Sequence, residues 1–443
     1  MDTPPPQSPI VDEITPFLRL PPELLLLIFK YLVTSTKNSL SLGPIALVCR
    51  SFHECLRNDP SSWTTILITL TTLESHRDNA TFLNFTRMIT LALDYSRGRP
   101  LSLTVSLLHG SENHLNSDNQ LGTRLKDRPI RDFITRLFRV LPRCRELTIE
   151  SSLWRDKETL ISLVKRSIED NNALSRLESL TMTYDPTHTV EAFFHPNVLP
   201  TSPLIRSDDP DDNETTPFPS LENLTIDNVA HTWRLLTLSG LHTLRLINIP
   251  SYNSPSYADL HRILLSNAET LSTLELSNIT ITNTKAIGES LTLPNVRRMT
   301  IGFGHPKDLV WAAQMLDLPA LEELVIEDRV AGLKLENQRP WVSEAKKRQT
   351  MEGFRGLMRW FRLNCVKRLI LRRVVFYESD SQGLLVEEAP KDISFAFQFL
   401  SGFREVRDLE VWHDDSSLAL SNVAKSFSDT LFPKLRSCLF GGL

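Results

Sequence analysis

The sequence predicts an α/β protein in which a small N-terminal helical module precedes an irregular solenoid, with parallel strands inside and helices outside. Three observations predict this fold class: an apolar run at residues 24–32, a short apolar phrase that recurs from residue 144 onward, and helical periodicity between several copies of that phrase. The length of 443 residues suits one small module followed by an elongated array.

The apolar run predicts a buried N-terminal helix. Pro21 and Pro22 suit the first turn of a helix, and Glu23 lies near the positive end of its dipole. Nearly every residue from Leu24 to Leu32 is apolar, and a helix that is apolar all round has to be covered all round. The run is shorter than the roughly 20 residues that a membrane span needs. A module of this size buries such a helix poorly by itself, so we expect another chain to cover part of it.

Four short motifs stand in order within residues 14–63: Leu20-Pro21-x-Glu23-Leu24, Ile28-Phe29-x-Tyr31-Leu32, Leu47-Val48-Cys49-Arg50-x-Phe52 and Asp59-Pro60-x-x-Trp63. Together they resemble an F-box. The chain departs from the family pattern in a longer polar insert, Val33–Asn38, which we expect to be a loop. We expect Ser39–Val48 to form a short helix interrupted at Gly43-Pro44, and a third helical piece to run from Leu47 towards Leu56.

The resemblance implies a three-helix module that docks a Skp-type adaptor and, through it, the cullin of a RING ubiquitin ligase. It implies that the following residues form or support the adaptor-binding surface: Leu20, Pro21, Leu24, Ile28, Val48, Cys49 and Trp63.

A phrase of the form apolar-x-x-apolar-x-apolar recurs over the rest of the chain. Its copies start at residues 144, 177, 221, 241, 271, 296, 321, 366 and 406, with a degenerate last copy at 435. The mean spacing of about 32 residues is typical of a stacked array. The last two apolar positions are two residues apart and therefore point to one face of a strand, and stacking the strands makes a continuous core.

Helices are predicted at Lys157–Asn171, Tyr257–Ala268 and Ser343–Leu363. Alternation of these helices with the phrase resembles a divergent leucine-rich repeat, and an F-box followed by such repeats is similar to many fungal ubiquitin-ligase receptors. An ordinary α/β domain with repeated strand starts stays open as the alternative. An asparagine follows the phrase in three copies, at Asn228, Asn248 and Asn278, where we expect it to hydrogen-bond the backbone of a turn.

We define the polar face of the array by the residues between and just after the apolar positions of the phrase. The sign of charge alternates along it, so it suits the recognition of complementary charges on a protein substrate. The predicted substrate-binding residues are Arg245, Glu275, Glu323, Glu327, Arg368, Arg372, Glu410 and Trp412. Solvated sheet positions without a binding role are the alternative for each of them.

Other segments carry little chemistry. Residues 1–13 are predicted to be a disordered lead-in, and residues 64–443 to be the array, with loop insertions near 185–219 and 378–391. No metal, cofactor or catalytic residue is predicted, because the sequence has no Cys/His set with ligand spacing and no complete nucleophile motif. Five scattered cysteines and a net charge of −4 favour a reducing cytoplasmic or nuclear location, with no nucleic acid and no membrane as partner.

Two functions from different classes follow. The first is a substrate receptor of a cullin–RING ligase of the SCF type, without catalytic residues of its own, in which the F-box docks the adaptor and the array holds the substrate. The second is a leucine-rich-repeat interaction scaffold without a ligase role, in which the helical module only caps the end of the array. An enzyme is a third class, which a closed pocket with a perturbed titratable pair would favour.

Overall fold

A computed structural model describes residues 20–69, 79–107, 137, 140–152, 174–184, 218–229, 238–249, 254–281, 290–304, 307–329, 344–374, 398–413 and 431–442. The chain divides into two compact units, residues 1–106 with 143–145, and residues 107–142 with 146–443. The predicted lead-in at 1–13, the helix at 157–171 and the loop at 378–391 lie outside the described residues, as does the 185–219 loop up to residue 217.

The first unit is a set of short helices followed by two strands. Its elements are α1 (Pro22–Thr36), a 3₁₀ turn (Ser39–Ser41), α2 (Leu42–Ala46), α3 (Arg50–Arg57), a second 3₁₀ turn (Pro60–Trp63), β1 (Thr65–Thr69), α4 (Asn79–Tyr95) and β2 (Leu101–Leu107). Strands β1 and β2 pair in parallel, with Ile66 opposite Leu103 and Ile68 opposite Val105. All four of these side chains are buried, so one face of the strand pair belongs to the core of the unit.

Three expectations about the helices of this unit are wrong. The insert Val33–Asn38 is not a loop, because α1 continues to Thr36 and ends at Lys37, which has a left-handed φ of 52°. The hydroxyls of Thr34 and Thr36 donate to the carbonyls of Lys30 and Leu32. These bonds keep polar side chains compatible with a helix.

The other two errors concern α2 and α3. Gly43-Pro44 does not interrupt a helix, because Pro44 lies in the first turn of α2, where a missing N–H costs nothing. Helix α3 begins only at Arg50, because Cys49 has an extended backbone and is the N-cap of the helix, where its sulfur accepts a hydrogen bond from Phe52 N.

Asn38, the last residue of the insert, and Ser39 after it hydrogen-bond one edge of β1. The Asn38 side chain accepts from Leu67 N (3.2 Å) and donates to Leu67 O (3.1 Å), and the hydroxyl of buried Ser39 accepts from Thr65 N (3.1 Å). These side chains take the place of a neighbouring strand for the backbone N–H of Thr65 and for both backbone groups of Leu67.

The second unit is a parallel sheet with helices between some of its strands. Its elements are β3 (Cys144–Ser151), β4 (Ser179–Tyr184), β5 (Asn223–Asp227), β6 (Thr243–Ile247), α5 (Tyr257–Leu265), β7 (Thr273–Ser277), β8 (Leu291–Thr292), β9 (Arg298–Phe303), α6 (Lys307–Met315), β10 (Leu316–Asp317), β11 (Glu323–Asp328), α7 (Glu344–Trp360), β12 (Arg368–Arg372), β13 (Asp408–His413) and β14 (Ser437–Gly442). Short 3₁₀ turns precede β3 and β12, at Leu141–Arg143 and Leu363–Cys365. Strands β8 and β10 form a separate parallel pair.

Each main strand pairs in parallel with the next one along the chain, in the order β3-β4-β5-β6-β7-β9-β11-β12-β13-β14. The apolar phrase predicts this register, since its second position aligns across the whole sheet. That row is Leu147, Leu180, Leu224, Leu244, Leu274, Met299, Leu324, Leu369, Leu409 and Cys438. The apolar positions of the first nine copies are all buried, whereas Cys438 of the degenerate copy is exposed.

The asparagines that follow the strands do adopt a special conformation, with φ of 53° at Asn228, 51° at Asn248 and 52° at Asn278. Asparagine tolerates this left-handed region better than most residues. Their backbone N–H groups bond the next strand, as in Asn228 N to Ile247 O (2.8 Å). The expected side-chain bonds to turn backbone are not the ones made at Asn248 and Asn278. The amide of Asn278 donates to Asn248 Oδ1 (3.1 Å), and that of Asn248 donates to Asp227 Oδ1 (3.0 Å).

Helices α5 and α7 confirm two predicted helices, although α5 ends at Leu265 and α7 at Trp360. Phe354 of α7 packs edge-to-face against Phe303 of β9 and against Phe399, with ring centroids 6.1 and 5.1 Å apart. The mixed α/β class with a large parallel sheet is therefore established, and the leucine-rich-repeat solenoid stays a prediction. Within the described ranges, no helix has the length and apolar content to cross a bilayer.

Candidate functional site

The polar face of the sheet carries a ladder of ion pairs between neighbouring strands. Glu323 of β11 lies 3.6 Å from Arg298 of β9 and 3.6 Å from Arg368 of β12, and Arg368 reaches Glu410 of β13 at 2.5 Å. Arg245 and Glu275 pair at 3.5 Å on β6 and β7. The structure thus brings most of the predicted substrate-binding charges together, and it pairs them with one another.

Glu410 links this ladder to Trp412, whose indole N–H donates to Glu410 Oε2 at 3.2 Å. Partial burial alone would raise the pKa of Glu410. The hydrogen bonds from Arg368 and Trp412 and the charges of Arg368 and Arg372 outweigh that effect and lower the pKa. The hydrogen bond that Arg368 donates to Glu410 in turn raises the pKa of Arg368. The pair therefore stays charged at neutral pH.

Glu327 is not the solvated side chain that the sequence suggests, because it is buried. Arg329 approaches its Oε2 at 3.2 Å and Arg373 approaches its Oε1 at 4.0 Å. Sequence reasoning missed both arginines. A signal for Arg373 was present, since Arg373-Val374 stands two residues after the last apolar position, where three other copies have Asn-Val or Asn-Ile.

In the first unit, α1 divides its apolar residues between two faces. Leu25 and Phe29 are buried, and Phe29 packs edge-to-face against Phe52 of α3 at 5.5 Å between ring centroids. On the other face Leu24, Leu27, Ile28 and Tyr31 are 46%, 62%, 40% and 76% exposed. We call these four residues the α1 stripe; their spacing of three and four residues places them on one side of the helix.

A second exposed apolar element lies between α2 and α3. Leu47 is 85% exposed and Val48 is 68% exposed. Their backbone is held in a tight turn, with Leu47 N bonded to Pro44 O (3.2 Å) and Val48 N bonded to Ile45 O (3.0 Å). Large apolar side chains held outward on a small unit are typical of a protein-binding surface.

Trp63 and Asp59 make stabilising contacts inside the first unit. Trp63 is buried, its indole N–H donates to Leu56 O (2.8 Å), and its ring lies 5.3 Å from that of Tyr95. Asp59 holds the turn before Trp63 by accepting from the hydroxyls of Ser61 (2.6 Å) and Ser62 (2.7 Å). Partial burial would raise the pKa of Asp59, but these hydrogen bonds and the charge of Lys30 lower it.

This arrangement of three short helices, a buried tryptophan and an outward apolar stripe agrees with a known domain type. Residues 17–69 match the model of the F-box-like family. No curated protein matches the chain.

Within the F-box-like segment, the predicted adaptor-binding residues fall into two groups. Pro21, Leu24, Ile28 and Val48 are exposed, and Leu20 and Cys49 are half-buried. Trp63 does not reach the surface, so any part it has in binding is to support the fold from inside. Sequence reasoning missed Leu27, Tyr31 and Leu47, although the helical spacing from Leu24 gives the first two.

The described residues offer little other chemistry. They contain no group of three or more Cys, His, Asp or Glu side chains placed to hold a metal ion. Burial raises the pKa of the Cys144 thiol to about 12, so this thiol stays protonated at neutral pH.

Proposed function

We propose that the chain is a substrate-receptor subunit of an SCF-type ubiquitin ligase, whose F-box-like segment docks a Skp-type adaptor. F-box domains in general bind such adaptors. The observation that carries the proposal is the exposure of the α1 stripe together with Leu47 and Val48 on the segment that matches the F-box-like family. A helix with buried residues on one face and four large exposed residues on the other lacks a cover on that second face.

The remainder of the proposal concerns the rest of the chain. The parallel sheet, as a leucine-rich-repeat-like array of the fungal type, would hold the protein substrate while the cullin and its associated subunits transfer ubiquitin inside the cell. The chain would supply no catalytic residue. Its contribution would be proximity, because holding a target lysine near the charged conjugating enzyme raises its effective concentration.

Leu24→Asp is expected to weaken adaptor binding about 100-fold, because it places a charge in the centre of an apolar contact. Leu24 is half exposed in the free chain, so the substitution leaves folding largely intact. Titration of the purified adaptor against the full chain measures the affinity. Pro21→Ala, at the N-cap of α1, is expected to weaken binding as well, by less.

Leu265→Asp is the matched control, because Leu265 is a leucine of similar exposure (56%) on α5 of the second unit. It is expected to bind the adaptor as the unaltered chain does. Undiminished binding by both Leu24→Asp and Pro21→Ala would refute the docking assignment.

A second candidate role, that of an end cap, is favoured by one specific observation. Asn38 and Ser39 bond the edge of β1. Deleting residues 1–63 would therefore strip partners from the backbone of Thr65 and Leu67, and aggregation of the deleted chain would not distinguish a cap from a docking module that also caps.

Asn38→Ala separates the two roles. Loss of the side-chain amide leaves Leu67 N and O without these bonds and is expected to destabilise β1 by about 1–2 kcal/mol. Hydrogen exchange at β1 measures this loss, and adaptor affinity is expected to stay unchanged. Asn58→Ala, at an exposed position of the same unit, is the control and should alter neither quantity. Unaltered exchange at β1 in Asn38→Ala would contradict the capping role.

A further inference from the structure

Several arginines come together at the turn between α4 and β2 in the first unit. The turn has left-handed φ values at Arg97 (47°) and Gly98 (74°), and Arg99 N bonds Ser96 O at 2.9 Å. The guanidinium of Arg97 donates to the backbone carbonyl of Arg57, the last residue of α3, at 3.1 Å. This bond brings the end of α3 against the turn.

Arg143, which belongs to the same compact unit, lies against this turn. Its Nη2 donates to the hydroxyl of Ser96 at 2.5 Å and to the carbonyl of Arg99 at 3.2 Å. Ser96 is buried, and its hydroxyl in turn donates to Leu93 O at 2.6 Å. These bonds gather four arginines into one local group, which we call the arginine patch: Arg57, Arg97, Arg99 and Arg143.

The acceptors that hold Arg97 and Arg143 in place are uncharged, being two backbone carbonyls and one hydroxyl. Such acceptors orient a guanidinium without neutralising it, whereas a carboxylate does both. In the described part of the first unit, ion pairs join Lys30 to Asp59 and Arg50 to Glu54, and none includes an arginine of the patch. The unit thus pairs other cations and leaves these four without an acid.

The acids nearest along the chain are too few to balance the patch. Glu54 and Asp59 stand on either side of Arg57 in sequence, but each is already paired with another cation. Asp94 precedes the turn and Glu146 follows Arg143. Even with Asp94 and Glu146 both counted, two carboxylates face four guanidinium groups. The patch therefore carries more positive charge than the described residues balance.

The patch is accessible and chemically uniform. Arg57, Arg97 and Arg99 are exposed, and Arg143 is half-buried. All four cations are arginines, and a guanidinium presents a planar fork of donors that matches the two oxygens of a carboxylate, which a lysine ammonium does not. Two members of the patch are also held by hydrogen bonds, so less side-chain entropy is lost when an anion binds them.

We propose that the arginine patch binds an acidic segment of a partner protein, whose carboxylates accept paired hydrogen bonds from the guanidinium groups. Nucleic acid is the poorer fit, because the whole chain has a net charge of −4 and Tyr95, the aromatic residue next to the turn, already packs against Trp63 and His53. The inference goes beyond the proposed function, since the patch shares no residue with the predicted adaptor-binding or substrate-binding surfaces.

The test uses the full chain and a fluorescently labelled peptide of alternating glutamate and glycine, with a glutamine–glycine peptide of equal length for comparison. Fluorescence polarisation should show binding of the glutamate peptide that weakens as salt is raised, and about tenfold weaker binding of the glutamine peptide. Arg99→Gln should weaken binding of the glutamate peptide about fivefold, and Arg57→Gln combined with Arg99→Gln should weaken it about twentyfold. Arg99→Lys keeps the charge and should recover part of the loss.

Arg87→Gln is the matched control, because Arg87 is an exposed arginine of the same unit that lies on α4, ten residues before Arg97. It changes the net charge by the same amount and should leave the affinity within about twofold. Equal losses in Arg87→Gln and Arg99→Gln, or equal binding of the two peptides, would overturn the inference. Tighter binding of a single-stranded DNA of the same charge than of the glutamate peptide would overturn it as well.

Adaptor binding gives a separate readout. Arg99→Gln should bind the adaptor as the unaltered chain does, which also shows that the first unit is folded in this variant. An unaltered chain that binds the adaptor but not the glutamate peptide refutes only the acidic-segment inference, whereas one that binds the peptide but not the adaptor refutes only the receptor function.

Discussion

Trp63→Ala is expected to destabilise the F-box-like segment by about 3–5 kcal/mol, which is the usual cost of removing a large buried aromatic side chain. Trp63 is 3% exposed, packs against Tyr95 and donates its indole N–H to Leu56 O. The substitution removes all three contributions and leaves a cavity between α3, α4 and the turn that follows α3. A small unit has little stability in reserve, so we expect it to unfold in a substantial fraction of molecules.

Hydrogen exchange at the amides of α1 and α3 is the measurement, because it reports on the first unit separately from the second. Trp63→Phe is the control. It keeps an aromatic ring but loses the bond to Leu56 O, so its loss should be clearly smaller. Native exchange rates in Trp63→Ala would contradict the role of Trp63 as the internal support of the F-box-like segment.

Asn267→Ala is expected to destabilise the second unit by about 2–3 kcal/mol, because it orphans the buried N–H of Leu241 and removes one of the bonds to each of two carbonyls that keep the Ser266 hydroxyl. Asn267 follows α5 and is 1% exposed. Its side chain accepts from Leu241 N (2.8 Å) and donates to Leu238 O (3.1 Å) and Ile263 O (2.7 Å). This one amide joins α5 to the segment that enters β6.

Urea unfolding measures the change in the free energy of unfolding, and hydrogen exchange at β6 and β7 shows whether these strands are affected. Asn295→Ala is the matched control, since Asn295 bonds Glu269 O (2.7 Å) at an exposed site where water replaces the lost partner. Its cost should stay below about 1 kcal/mol. Equal losses of unfolding free energy in Asn267→Ala and Asn295→Ala would contradict the expectation that burial makes the Asn267 bonds more stabilising.

The strands of the sheet were predictable because their positions depend on a local rule. Burial of one strand face requires two apolar residues two positions apart, and in nine copies of the phrase the second and third apolar positions are buried in register. The outward α1 stripe was predictable for a similar reason, since a short helix that is apolar all round exceeds what a small unit can cover.

What escaped prediction depends on contacts between segments distant in sequence. The polar composition of Val33–Asn38 predicts a loop, and it does not indicate that Asn38 hydrogen-bonds the backbone of Leu67 in β1. The charges of the polar face appear free along the sequence, but the register of β9, β11, β12 and β13 places them against one another. Which charged side chains pair therefore depends on the register of neighbouring strands and cannot be inferred from one strand alone.

These pairings change the expectation for substrate recognition. Arg368 and Glu410 pair with each other, whereas Arg372 makes no ion pair with an acid in the described ranges. The predicted substrate-binding residues therefore differ in the partners that they already have.

The most direct test of the account is hydroxyl-radical footprinting of the full chain with and without a purified Skp-type adaptor. The method reports the solvent exposure of side chains. We expect Leu27, Tyr31, Leu47 and Val48 to lose most of their labelling when the adaptor is added, while Leu265 on the second unit keeps its labelling. Unchanged labelling of the α1 stripe at saturating adaptor would contradict the account.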